Sequence, residues 1–184
     1  MSRRDSALLV VDVQEKLVSL IPGHARLVWN IRRLLDGALM LGVPVAATEQ
    51  YPQKLGPSVP EVTSRIATIP EKRMFSCREC QPLFADLRDR GIRKLLVVGI
   101  EAHVCILQTV YDLLAEGFHV HLAVDAIGSR FPLDCEIAIR RLESSGATLT
   151  TTEAALFEWC ETSAAPEFKQ ISALVRESPP APLT

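Results

Sequence analysis

Three short segments of the 184-residue chain carry side chains whose chemistry depends on where they are held. Cys105 closes the run Gly99-Ile100-Glu101-Ala102-His103-Val104-Cys105, which comes after an apolar stretch and opens a predicted helix reaching about Glu116. A thiol at a helix N-terminus meets the positive end of the helix dipole and unpaired amide donors. Both favour the thiolate and pull down a pKa that is about 8.5 in the free residue. Bringing that pKa near neutrality raises the nucleophilic fraction roughly tenfold. A free cysteine is also among the most often buried residue types, so a packed, inert thiol is the alternative. Asp12 ends the apolar run Leu8-Leu9-Val10-Val11, with Gln14 two residues on. An acid at the carboxyl end of a strand suits a general base or a metal ligand, and equally an N-cap for the next helical segment. Lys72 and Arg73 stand in Pro70-Glu71-Lys72-Arg73-Met74-Phe75-Ser76, a loop where a cation is ordinarily solvated surface.

The elements that must position these groups are legible as alternating strands and helices. Ala7 to Val11, Val43 to Ala47, Lys94 to Val98 and Val120 to Val124 are apolar on both faces, the pattern of buried parallel strands, and Ala147 to Thr151 makes a fifth. Leu27, Ile31, Leu34, Leu35, Ala38 and Leu39 form a helical stripe that ends near Gly42. Strand and helix in alternation predict an α/β fold: a three-layer α/β/α sandwich around a mostly parallel, Rossmann-like sheet of five or six strands. Ligands of such sheets bind beyond the carboxyl ends of the strands. There the sequence places Asp12 and Gln14, Thr48 to Tyr51, Gly99 to Cys105, and Asp125 to Arg130. Between Glu49 and Pro70, four prolines and little periodicity predict a long loop with one short strand near Arg65 to Thr68.

The length fits one domain, 1–184, whose Pro-rich end, 177–184, reads as a frayed tail. A formal net charge of -2 supplies no basic face, so the expected partner is a small molecule, with no nucleic acid and no membrane. The opening residues lack the apolar run of a signal peptide and no stretch is long enough to span a bilayer, so the expected location is cytoplasmic. Five cysteines, an odd number, read as reduced thiols. Cys77-Arg78-Glu79-Cys80 has redox or zinc spacing, but no second CxxC accompanies it, and ordinary packing is the better reading. Tyr51, Phe75 and Phe131 border strand ends and are candidate pocket walls.

Together, Leu8-Leu9-Val10-Val11-Asp12-Val13-Gln14, Lys72-Arg73-Met74-Phe75-Ser76 and Gly99 to Cys105 with the subsequent Gln108-Thr109 resemble the isochorismatase-like cysteine hydrolase family. That group includes nicotinamidases, N-carbamoylsarcosine amidohydrolases and ureidoacrylate hydrolases, and the likeness runs from about Ala7 to Glu158. The resemblance implies that Cys105 is the nucleophile, Asp12 the general base and Lys72 the cation beside both. It implies an oxyanion hole from the backbone N–H groups of Glu101 and Cys105, with a cis peptide between Ile100 and Glu101. Gln14, Glu49, Tyr51, Phe75 and His103 become candidate substrate contacts; His103 packing at the helix start is the alternative for that residue. Nicotinamidases of the family bind a metal through an aspartate and histidines after the second strand. Here that loop reads Thr48-Glu49-Gln50-Tyr51, so no metal and no cofactor are expected. Isochorismatases proper protonate a vinyl ether and need no thiol, so Cys105 favours acyl transfer through a thioester. The expected activity is therefore hydrolysis of a small amide-like substrate by a homodimer or larger homo-oligomer. The rivals are a non-catalytic interaction module of the same fold and a hydrolase of a non-amide small molecule.

Overall fold

The computed structural model describes residues 1–181. Six strands, β1 (Ser6–Val11), β2 (Val45–Gln50), β3 (Glu71–Lys72), β4 (Lys94–Ile100), β5 (His119–Gly128) and β6 (Thr148–Thr150), form one sheet in the order β3-β2-β1-β4-β5-β6. Every neighbouring pair is parallel. Helices α1 (His24–Met40), α2 (Gln81–Asp89), α3 (Leu107–Ala115), α4 (Pro132–Ser144), α5 (Thr152–Cys160) and α6 (Phe168–Val175) supply the crossovers and outer layers.

The side-chain alternation of the strands divides the core in two. Leu8, Val10, Leu96, Val98 and Ile100 pack with α1, α5 and α6 on one face. Ala7, Leu9, Val11, Leu95 and Val97 pack with α2, α3 and α4 on the other. A strand covered on both faces has no polar side to offer, which is why these segments read as unbroken apolar runs. The result is the expected three-layer α/β/α sandwich. The strand order reverses between β1 and β4, so the crevice of the sheet opens where Val11 and Gly99 lie in register.

Three details differ from the sequence reading. β2 starts two residues later than expected and runs on to Gln50. The short strand expected near Arg65 to Thr68 is instead β3, at Glu71–Lys72, where it pairs Glu49 with Glu71 and Gln50 with Lys72. The Pro-rich loop contains two four-residue helical turns, Pro52–Leu55 and Pro60–Thr63, each starting on a proline whose fixed φ and missing N–H suit that position. Of the expected tail, Glu177 pairs with Arg32, and residues 182–184 lie outside the described residues. Among the described residues no helix is long and apolar enough to cross a membrane.

At Gly99 the backbone of β4 lies close against that of β1. Gly99 has φ +119°, and an added Cβ would stand 2.1 Å from the Val11 carbonyl oxygen. Gly99→Ala is expected to cost about 2–6 kcal/mol, strain and overpacking combined. Gly117, at φ +84° with open space around it, serves as a control for strain alone. Urea midpoints that fall equally for the two alanine variants would remove the close-approach argument.

Candidate active site

The apolar run of β1 ends at Val11, and the next residue turns sharply. Asp12 has φ +53°, a region that aspartate tolerates better than most residues, and its N–H donates to the Thr48 carbonyl at 3.1 Å. Its carboxylate is fully buried. Oδ2 accepts from Lys72 Nζ at 2.7 Å and Oδ1 from Thr48 Oγ1 at 2.8 Å. Lys72 is buried as well, and Nζ also donates to Gln50 Oε1 at 2.7 Å and to the Phe75 carbonyl at 2.8 Å. Burial alone would lower the pKa of this ammonium, but the Asp12 carboxylate, by charge and by hydrogen bond, opposes it, and the net direction is upward. The pair is thus desolvated, ionic and hydrogen-bonded on both sides, the condition under which a buried charge pair persists.

Cys105 is held on a single π-helical turn, Ala102–Ile106, between β4 and α3. Val104 N–H and Ile106 N–H both donate to the Glu101 carbonyl, at 3.1 and 3.2 Å. The Ile100–Glu101 peptide is cis, as the resemblance implies. The thiol is almost fully buried, and its pKa is raised far above the usual cysteine range by burial first and by the Asp12 carboxylate second. That corrects the expectation of a thiolate stabilised by the helix dipole. The α-helix starts only at Leu107, and an adjacent carboxylate in a dry site outweighs a partial charge. The resting state is a neutral thiol beside an Asp12–Lys72 ion pair.

Three residues in this constellation carry no assigned role in the sequence reading: Thr48, Gln50 and Cys77. Cys77 Sγ lies 3.4 Å from Thr48 Oγ1. The single hydroxyl proton of Thr48 goes to Asp12, so the thiol of Cys77 must be the donor in that contact. Burial, then Asp12, pushes Cys77 up to about 12, which keeps its proton in place. Its N–H donates to Thr109 Oγ1 at 2.9 Å, anchoring it to α3. The CxxC therefore borders the site without forming a ligand set, and all five cysteines are free. Among the described residues no group of three or more His, Cys, Asp or Glu side chains converges as a metal site.

The remaining candidates serve the chain more than the crevice. Gln14 is fully buried and uses its whole amide on the chain: Nε2 donates to the Gln50 and Gly56 carbonyls, and Oε1 accepts from Gln50 N–H. Glu49 Oε1 accepts from Ser58 N–H at 2.6 Å and so organises its own loop. Tyr51 lies beneath the Arg73 guanidinium, 3.4 Å from the ring centroid. Phe75 is 52% exposed, and its carbonyl accepts from Lys72 Nζ. His103 Nδ1 contacts Ser129 Oγ at 3.0 Å. Glu101, buried, accepts from Arg130 Nε at 2.6 Å.

Comparison with known proteins identifies the family and the fold. The Isochorismatase domain model matches residues 6–154. Isochorismatase domain-containing protein 2 from Homo sapiens is 40% identical over 175 residues, covering 95% of this chain and 85% of the human one. The structure of MAR1 ribonuclease from Caenorhabditis elegans matches with a TM-score of 0.91 at 40% identity, covering 99% of this chain and 95% of that one. The Escherichia coli YcaC product, an octameric hydrolase of unknown specificity, shares the fold, with a TM-score of 0.87 at 23% identity over 95% of this chain and 88% of its own. With more than half its length under the family model and relatives this similar, the chain belongs to the isochorismatase domain family.

Proposed function

We propose that the protein is a cysteine-dependent hydrolase of a small amide-like substrate. The observation that carries this reading is the buried Asp12–Lys72 ion pair beside the neutral thiol of Cys105 at the strand-order reversal. As Cys105 Sγ attacks the substrate carbonyl, its proton passes to Asp12. The Lys72 ammonium offsets the negative charge on sulfur and then stands alone against the thioester. The N–H groups of Glu101 and Cys105 receive the carbonyl oxygen as it becomes anionic. Asp12 gives its proton to the departing amine or ammonia, takes one from the water that cleaves the thioester, and returns it to the Cys105 sulfur as that leaves, restoring the neutral thiol. Gln50, Phe75 and Thr48 hold Lys72 and Asp12 in position throughout.

The free thiols suit a reducing cytoplasm. A homodimer or larger assembly suits the exposed apolar Phe131, Leu133 and Ile137 at the start of α4. A second reading, cleavage of RNA, comes from the name of the C. elegans relative, 40% identical. A formal net charge of -2 and a nearly buried nucleophile favour the small substrate. One experiment separates them: a panel of small amides and ureides with ammonia release as readout, and RNA in parallel, before and after dialysis against a strong chelator. Ammonia release that disappears in Cys105→Ser and survives chelation is the expected result. RNA cleavage that persists in Cys105→Ser, with no ammonia from any amide, would overturn the proposal. Activity restored only by added zinc, iron or manganese would show a metal requirement that the mechanism lacks.

A further inference from the structure

In one turnover of the proposed mechanism Asp12 twice takes a proton and twice gives it up. A carboxylate that serves both directions must hold a proton neither too loosely nor too tightly, and its neighbours set that hold. Lys72 Nζ donates to Oδ2 at 2.7 Å and the Thr48 hydroxyl to Oδ1 at 2.8 Å, while the Cys105 thiol meets the same carboxylate. Behind Thr48 the series continues. Cys77 Sγ lies 3.4 Å from Thr48 Oγ1, and Cys77 N–H donates to Thr109 Oγ1 at 2.9 Å. Thr109 stands on α3, four residues after Cys105. Asp12, Thr48, Cys77 and Thr109 are each no more than 1% exposed, so the series is shielded from solvent. A hydroxyl has one proton and can rotate it. The thiol behind Thr48 donates to its oxygen, which turns the hydroxyl proton toward Asp12 and strengthens that bond. A donor to the charged form of an acid favours that form, so the Thr48 hydrogen bond opposes protonation of the carboxylate. Burial acts the other way: a desolvated carboxylate stripped of this donor would keep the proton it takes from sulfur.

We propose that Thr48, backed by Cys77, is a positioning residue of the reaction, whose hydroxyl keeps Asp12 a weak enough base to release its proton to the leaving amine. The inference rests on the amide hydrolase reading. It goes beyond holding Asp12 in place, since a substitution that preserves shape and removes only the hydroxyl should alter how the proton is shared between Asp12 and sulfur.

The test uses iodoacetamide, which alkylates the Cys105 sulfur, expels iodide and leaves the thiol proton with Asp12. Rates are read cysteine by cysteine by peptide mass mapping at neutral pH, beside ammonia release from the amide panel. In Thr48→Val, alkylation of Cys105 is expected to rise about tenfold, the effect of removing one hydrogen bond to a charged group, while turnover falls about threefold or more. Thr48→Ser should restore both. Cys77→Ala should raise alkylation of Cys105 about twofold by itself and not at all on top of Thr48→Val, because it acts only through the hydroxyl. Unchanged or slower alkylation in Thr48→Val overturns the proposal. A rise that Thr48→Ser does not reverse, or that Cys77 shares, also overturns it, since either would report a loosened site. If Thr48→Val fails to fold, Cys77→Ala decides, and a rate no higher than that of the unaltered protein overturns the assignment. Ammonia release keeps the two readings apart. Release from the unaltered protein with no change of alkylation in Thr48→Val removes the role of Thr48 alone. Faster alkylation in Thr48→Val with no release from any amide removes the hydrolase reading and leaves Thr48 governing the proton on Asp12.

Discussion

Alanine in place of Cys105 is expected to lower turnover by about a thousandfold or more, Asp12→Asn by a similar factor, and the double variant no further than the slower single one. Burial and Asp12 raise the thiol pKa and keep its proton in place, so in the proposed mechanism sulfur becomes nucleophilic only as that same carboxylate takes the proton away. Remove either partner and the other has nothing to exchange with. Asparagine is the better test at position 12, since its Oδ1 still accepts a hydrogen bond from the buried Lys72 ammonium, whereas alanine removes the acceptor as well as the counter-charge; losing the charge partner costs about 3–5 kcal/mol. Rate constants for the true substrate, with unfolding midpoints as the control for folding, provide the check. Losses that multiply would mean that the two residues act independently and that no proton passes between them.

The second large effect is expected in stability at alkaline pH. Cys77 is raised from 9.0 to about 12 in the folded chain, and Cys105 is raised from the same starting value. A raised thiol pKa means that the folded state binds the proton more tightly. The contribution is therefore complete below about pH 9 and declines as pH rises from there toward the folded pKa values. Each thiol should remove about 1.4 kcal/mol per pH unit across that window. Lys72, raised from 10.5, adds a loss of the same sign at still higher pH. Urea midpoints measured upward from pH 9 should fall steeply, and Cys77→Ala or Cys105→Ala should each remove one thiol's share of the slope. A flat profile would show that the thiols titrate alike in the folded and unfolded chains.

Much of the architecture is legible in the sequence because it is governed by local pattern. β1 and β4 lie between layers on both sides, so their segments are apolar throughout, and the helical stripe from Leu27 to Leu39 falls within α1. β3 escapes such a reading because a two-residue strand has no period. Its position is set by pairing with Glu49 and Gln50, not by its own residues. The same limit applies at the site. Asp12, Lys72 and Cys105 stand in motifs of recognisable type, whereas the hydrogen bonds of Thr48 and Gln50 to Asp12 and Lys72 join segments 36 and 22 residues apart. Gln14 and Glu49 read as substrate contacts because polar residues at strand ends often are. Their side chains instead satisfy backbone groups in the long loop, a demand that becomes visible only once that loop is folded.

β3, the strand that carries Lys72, is two residues long and sits at the sheet's edge, paired on one side with β2. Edge segments with few ladder bonds are generally among the first to open in native fluctuations, well below the free energy of global unfolding. When β3 lifts, the ammonium leaves Asp12 while the core around β1 and β4 stays packed. In the proposed mechanism the competent centre lasts only as long as its least protected strand stays paired, and the Asp12–Lys72 ion pair is also a clasp on that strand.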